Sequence, residues 1–243
     1  MSLHDFLFYE EPGIQLYCGD CRDLCVPACH LIFTDPPYDR QSLYLYDSVS
    51  EFALRSLRDG GHCFTYLPTF YIPEALEGLG RHLTYWWMIA CIQDTNGAMS
   101  AFARGVGIQW KGIAWHRKPP CAVSWKGAVF DTSGSPRRKA SGHPWEQPEG
   151  EPYRYISLLT EPGELIVDPL CGSGTTLRVA KELGRRAIGI EIEPRYCEIA
   201  VKRLRQEVLP MAPSDYRQAR ASAPSLTGLS PEEAIRRGRG KDE

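Results

Sequence analysis

Short apolar runs alternate with stretches of helical spacing along this chain. Residues 13–20 read as a strand and residues 30–35 as a second, strongly buried one. Residues 47–58 set Phe52, Leu54 and Leu57 behind Ser48 or Ser50, either of which can cap a helix, and Gly60 and Gly61 are expected to stop it. Residues 62–67 are strand-like, 73–79 suggest a short helix, and 85–92 predict a buried strand. From 95 to about 142 the pattern loosens, and Gly, Pro, Trp and basic residues dominate. Regularity returns with a short strand over 164–168, the turn Cys171-Gly172-Ser173-Gly174, and a helix over 175–183 that Gly184 stops. A strand over 187–191 follows, then a helix opened by Pro194, with Tyr196, Ile199, Ala200, Leu204 and Val208 as its apolar face. From Pro210 onward Pro, Ser, Ala and Arg take over, which reads as a mobile or loosely docked tail.

Strands alternating with helices predict an α/β fold with a doubly wound, mostly parallel sheet. Ligands of such sheets bind beyond the carboxyl ends of the strands. Asp35 and the Gly-rich turn both fall at predicted carboxyl ends and are expected to face one crevice. The length of 243 residues suits one α/β domain with insertions, or at most two domains. The net charge of −2 excludes a general polyanion binder. The N-terminal MSLHDFLFYE has neither the basic nor the apolar region of an export signal, and the apolar run at 85–92 is far short of a membrane span. A cytoplasmic location, no membrane partner and nine reduced thiols are therefore expected. Cys18, Cys21, Cys25 and Cys29, with His30 alongside, are spaced like a metal set. No second pair lies nearby and three of the four fall in or beside buried elements, so no metal is expected.

Two segments carry chemistry. In ELIVDPLCGSGTT (164–176), Gly172 and Gly174 let the backbone approach a ligand, and the following helix N-terminus offers free N–H groups. No Gly-Lys-Ser/Thr follows, so this is not a phosphate loop. Glu191 ends the next strand, where an acid suits the two hydroxyls of a ribose. An ordinary tight turn remains the alternative. In LIFTDPPYDR (31–40), a carboxylate and a backbone carbonyl can both accept hydrogens from an amino group, and Tyr38 can stack on a flat heterocycle. Such an amine is a poor nucleophile because its lone pair is shared with the ring. Accepting its N–H hydrogens localises that pair, and Pro36 and Pro37 limit reorganisation. A capped turn remains the alternative for these residues alone.

The ordered set LYCGDCRDL (16–24), DPPY (35–38), SLRDGGHCF, SGHPWEQP, DPLCGSGTT and GRRAIGIEIEPRYCEIAVKRL (184–204) resembles the DNA amino-methyltransferases that use S-adenosylmethionine. The resemblance covers most of residues 14–68 and 142–205. It implies a Rossmann-like class I methyltransferase fold. With the amine motif ahead of the cofactor motif, it implies the circularly permuted β group. The halves would be 1–94 and 142–209, with a target-recognition insert over 95–141 and a polar tail over 210–243. By resemblance Asp20, with Cys21, meets the cofactor adenine, and Glu191 holds the ribose. Asp168, Leu170, Cys171, Gly172, Ser173, Gly174 and Thr175 line the rest, and the product is S-adenosylhomocysteine. Asp35, Pro36, Pro37 and Tyr38 bind the amino group and stack on a flipped base. Two departures are Leu170, where the family often has Phe, and Gln147, where it often has Lys.

Between Arg104 and Gly142 stand eight basic residues against one acidic, with Trp110, Trp115, Trp125 and, just beyond, Trp145. Beside an amine motif this predicts a phosphate-tracking surface that includes Lys111, Arg117, Lys118, Lys126, Arg137, Arg138 and Lys139. Double-stranded DNA is the expected partner. A homodimer and a cognate restriction endonuclease are left open. Asp-Pro-Pro-Tyr leans to adenine N6 over cytosine N4, by resemblance. An RNA or protein-amide methyltransferase and a catalytically silent DNA-binding module are the other readings. The silent module predicts a damaged motif, and Asp35, Tyr38, the glycines and Glu191 are all present.

Overall fold

A computed structural model describes residues 3–92, 99–101, 106–108, 110–121, 132–134 and 149–206. The strands are β1 (Leu7–Glu11), β2 (Ile14–Cys18), β3 (Cys29–Thr34), β4 (Leu57–Tyr66), β5 (Thr84–Ile92), β6 (Met99–Ala101), β7 (Val106–Ile108), β8 (Trp110–Arg117), β9 (Thr132–Gly134), β10 (Leu165–Asp168) and β11 (Arg186–Glu191). The helices are α1 (Tyr44–Ser56), α2 (Ile72–Gly80), α3 (Gly150–Leu159), α4 (Thr175–Glu182) and α5 (Pro194–Leu204). Among the described residues nine strands form one sheet in the order β1-β2-β11-β10-β3-β4-β8-β5-β9, and β6 pairs with β7 apart from it. From β2 to β4 every pairing is parallel. Strands β1 and β8 join antiparallel.

The period of two in β3 explains the three layers. Leu31 and Phe33 turn to one face and pack with Tyr155 and Ile156 of α3, Leu177 of α4 and Ala200 of α5. Ile32 turns to the other and packs with Val49, Phe52 and Ala53 of α1 and Ala75 and Leu79 of α2. With helices on both faces, β3 is apolar on both sides. That is why residues 30–35 read as strongly buried.

The doubly wound sheet matches the sequence reading, and several elements depart from it. Helix α1 starts at Tyr44, and neither Ser48 nor Ser50 caps it. The Ser50 hydroxyl instead lies 3.0 Å from the Gly78 carbonyl, joining α1 to α2. Gly60 and Gly61 stop no helix. They lie inside β4, where Gly60 takes φ 71° and its N–H donates to the Lys118 carbonyl at 3.0 Å. The pair makes a bulge in the strand, since Gly tolerates the positive φ. Strand β5 is half exposed, with Trp87 at 55%. Helix α3 and strand β1 had no clear signal. On α5 the buried face is Cys197, Ala200, Val201 and Leu204, while Tyr196 and Ile199 are only half-buried. Val208, the tail from 210 and the His-Pro element at 141–148 lie outside the described residues. Cys21 and Cys29 are buried in the core and Cys25 is exposed. Strand β8 falls within the segment read as an insert, yet it stands in the sheet between β4 and β5.

Candidate functional site: a carboxylate and a glycine turn on neighbouring strands

Strands β3 and β10 are hydrogen-bonded neighbours, so their carboxyl ends lie side by side. β3 delivers Asp35, and β10 delivers the turn that begins at Asp168. The Thr176 hydroxyl at the start of α4 donates to the Phe33 carbonyl at 3.4 Å, tying the turn to β3. The two carboxylates are close enough that the charge of Asp35 helps to push the Asp168 carboxyl up. The structure therefore brings together the two strand ends that carry Asp35 and the Gly-rich turn.

On the β3 side, Pro36 is buried while Pro37 and Tyr38 are exposed. The Tyr38 hydroxyl donates to Asp35 Oδ1. Asp39 holds the next turn by accepting from the Gln41 N–H at 2.9 Å, the Ser42 N–H at 3.0 Å and the Ser42 hydroxyl at 2.7 Å. Lys111, from β8, points its ammonium at both Asp35 oxygens at 3.4 Å. Burial raises the Asp35 carboxyl above its ordinary value, and Lys111 and the Tyr38 hydroxyl pull it back.

On the β10 side, Asp168 is buried and accepts the Leu170 N–H at 3.2 Å. Burial pushes its carboxyl up to about 7, with the Thr176 and Thr34 hydroxyls acting against the shift. Gly172 takes φ 50°, and a Cβ there would meet open space. Gly174 takes φ 80°, and its Cβ would stand 2.9 Å from that of Ala200. The first glycine leaves the crevice open, and the second lets α4 pack on α5. Cys171 is buried beneath the turn. Glu191 ends β11 and accepts the Gly172 N–H on Oε2 at 2.9 Å and the Glu193 N–H on Oε1 at 2.8 Å. A carboxylate has about four acceptor directions; the backbone N–H groups of Gly172, Ile192 and Glu193 take up three, which leaves one for a ligand hydroxyl. The Gly19 N–H donates to the Glu191 carbonyl at 2.9 Å, which brings Asp20 to the same rim. Asp20 is paired with Arg22 at 2.5 Å, which lowers its carboxyl. An open glycine turn, a ribose-suited acid and a second acid on the rim fit a nucleoside cofactor.

Three groups had no signal in the sequence. Arg203 of α5 donates to the Ser173 hydroxyl at 2.7 Å and the Thr175 hydroxyl at 3.1 Å, bracing the turn. Arg203 also meets Glu149 at 3.4 Å. Glu151 of α3 is buried, and its Oε2 has no hydrogen-bond partner among the described residues.

The structure places the basic residues unevenly. Lys111 faces Asp35, with its side chain 13% exposed. Arg117 is buried, donates to the Gly60 carbonyl at 2.8 Å and lies over the Trp86 ring. Lys118 donates to the Leu57 carbonyl at 2.7 Å. All three side chains are engaged with the sheet or with Asp35, contacts that a charge read from sequence alone does not reveal. Lys126, Arg137, Arg138 and Lys139 lie outside the described residues.

A family model described as DNA methylase matches residues 77–202. The type II methyltransferase M2.DpnII of Streptococcus pneumoniae is 52% identical over 68 residues, which is 28% of this chain and 25% of that protein. The type II methyltransferase M.HinfI of Haemophilus influenzae is 45% identical over 64 residues, 26% of this chain and 18% of that protein. The matched stretches thus span about a quarter or less of those relatives. Among solved structures, an M1.HpyAVI–SAM complex superposes with a TM-score of 0.63 at 22% identity, covering 79% of this chain and 99% of the other. The PvuII cytosine-N4-specific DNA methyltransferase superposes with a TM-score of 0.66 at 17% identity, covering 84% and 90%. The fold is that of these enzymes, and the chain belongs to the DNA methylase family.

Proposed function

We propose that this protein transfers a methyl group from S-adenosylmethionine to the N6 amino group of an adenine flipped out of duplex DNA. The observation that carries the reading is the placement of Asp35 and Tyr38 beside the open Gly172 turn, on the adjoining strands β3 and β10. S-adenosylmethionine supplies an electrophilic methyl group on a cationic sulfur, which departs as a neutral thioether with the C–S bonding pair. Glu191 holds the ribose, and the turn from Asp168 to Thr175 receives the remainder. Asp20 and Cys21 border the adenine. Asp35 and the Pro36 carbonyl accept the two amino hydrogens and aim the nitrogen lone pair at the methyl carbon. The nitrogen, cationic once the new bond has formed, then passes one proton along its hydrogen bond to the Asp35 carboxylate, which returns it to solvent. Most of the acceleration comes from alignment. Flipping the base costs a few kcal/mol, which binding must offset. Tyr38 stacks on the base, and Lys126, Arg137, Arg138 and Lys139 are the residues left to follow phosphates.

The Asp-Pro-Pro-Tyr motif supports adenine. The fold shared with a cytosine-N4-specific enzyme supports N4 of cytosine as the second reading. The test is incubation of DNA from a methylation-deficient host with the protein and labelled S-adenosylmethionine, followed by digestion and mass analysis. N6-methyladenine is expected. N4-methylcytosine would keep the mechanism and reverse the base. No methylated base, with the cofactor still bound, would overturn the enzymatic reading on DNA.

A further inference from the structure

In β8, Lys111 shares a face with Ile113 and Trp115, both of the buried core, and it closes that row with an amine where an apolar residue would fit. Its backbone is fixed on both sides. Residue 111 stands opposite Cys91 of β5, and the Gly112 carbonyl accepts the Leu67 N–H at 2.9 Å. The ammonium is 3.4 Å from each Asp35 oxygen, 3.9 Å from the centre of the Tyr66 ring and 4.7 Å from that of Tyr38. Two ring faces and a bridged carboxylate make a site for a cation, and burying an unpaired ammonium would be costly. We propose that Lys111 is a positioning residue for the amino-group site, bridging both oxygens of Asp35 so that the carboxylate keeps one orientation and stays an acceptor when the base arrives. The proposal rests on the reading of Asp35 as the acceptor of the target amine.

The surrounding groups give the expected direction. Around the pair stand Tyr38, Tyr66 of β4, Cys91 of β5, Glu151 of α3, Tyr46 of α1 and Asp168 of β10. Burial alone would protonate Asp35 at higher pH, and Lys111 is the largest influence against that. A protonated Asp35 would hold one oxygen as a donor and lose an acceptor for the amine.

The test compares Lys111→Met and Lys111→Arg with the wild type by two readouts. The first is the Asp35 carboxyl titration by carbon NMR, assigned with Asp35→Asn. The second is the acid limb of kcat/KM for methyl transfer. In Lys111→Met both move up by roughly one to three pH units, the range for loss of a close opposite charge. Lys111→Arg restores them, and cofactor affinity is unchanged in both variants. A carboxyl midpoint that does not move, or an acid limb that stays while the midpoint moves, overturns the proposal. If Lys111→Met shows the NMR shift but the wild type methylates no DNA, the proposed function is overturned and the Lys111–Asp35 pairing stands.

Discussion

At the scale of single residues, the site divides by how directly chemistry dictates position. Asp35, Tyr38, the glycines and Glu191 must sit at strand ends or in turns, and such places leave local marks. Lys111, Arg203 and Glu149 left none that showed their roles. Each acts on a partner many residues away, and a lysine's charge does not reveal which way it points. Replacing Asp35 with Ala is expected to cut methyl transfer by on the order of 100- to 1,000-fold, as for loss of one preorganised polar group. Cofactor and DNA binding should persist, and undiminished transfer would undo the mechanism. Glu191→Gln keeps the shape and loses the charge. A weakening of cofactor binding by roughly 10- to 100-fold is expected by calorimetry, the size of a charged hydrogen bond.

Among the elements, β3, β10 and β11 were legible because burial on both faces leaves continuous apolar runs. Strand β8 was hidden. Its Trp, Lys and Arg content reads as a basic loop, and its place in the sheet depends on antiparallel partners far away in the chain. The glycine pair in β4 misled for a related reason, since the same residues end helices and make bulges. The turn before α4 allows a controlled comparison. Gly174 and Gly184 both take positive φ, but an added Cβ meets Ala200 only at Gly174. Gly184→Ala is expected to cost about 1 kcal/mol for the backbone alone. Gly174→Ala should cost about 1–3 kcal/mol more, read by denaturant unfolding. Equal costs would show that α5 yields.

For the molecule as a whole, two buried groups oppose each other across mildly acidic pH. Burial of His116 lowers its pKa from 6.5 to about 4. Below 6.5 the unfolded chain takes up a proton that the folded one refuses, so stability falls as pH drops through that window. The Asp168 carboxyl is raised from 3.8 to about 7. Its sign is the reverse: the folded state binds the extra proton, and stability falls as pH rises towards 7. Asp168→Asn is therefore expected to be more stable than the wild type near pH 8 and to lose that advantage by about pH 5. The His116→Gln variant should resist acid better, by on the order of 3 kcal/mol near pH 4. Urea unfolding at a series of pH values checks both.

The sheet order also bears on how the molecule is made. β2 waits for β11 and β3 waits for β10, each across more than a hundred residues of chain. While a ribosome is still translating the middle of the message, both early strands have a bare edge, and such edges recruit other chains. The gap between them closes only when the last two strands emerge. A nonsense fragment ending before β10 would keep the carboxylate motif, with β3 covered by β4 on one edge and bare on the other. Such fragments should aggregate or be degraded rather than linger as partly working enzyme.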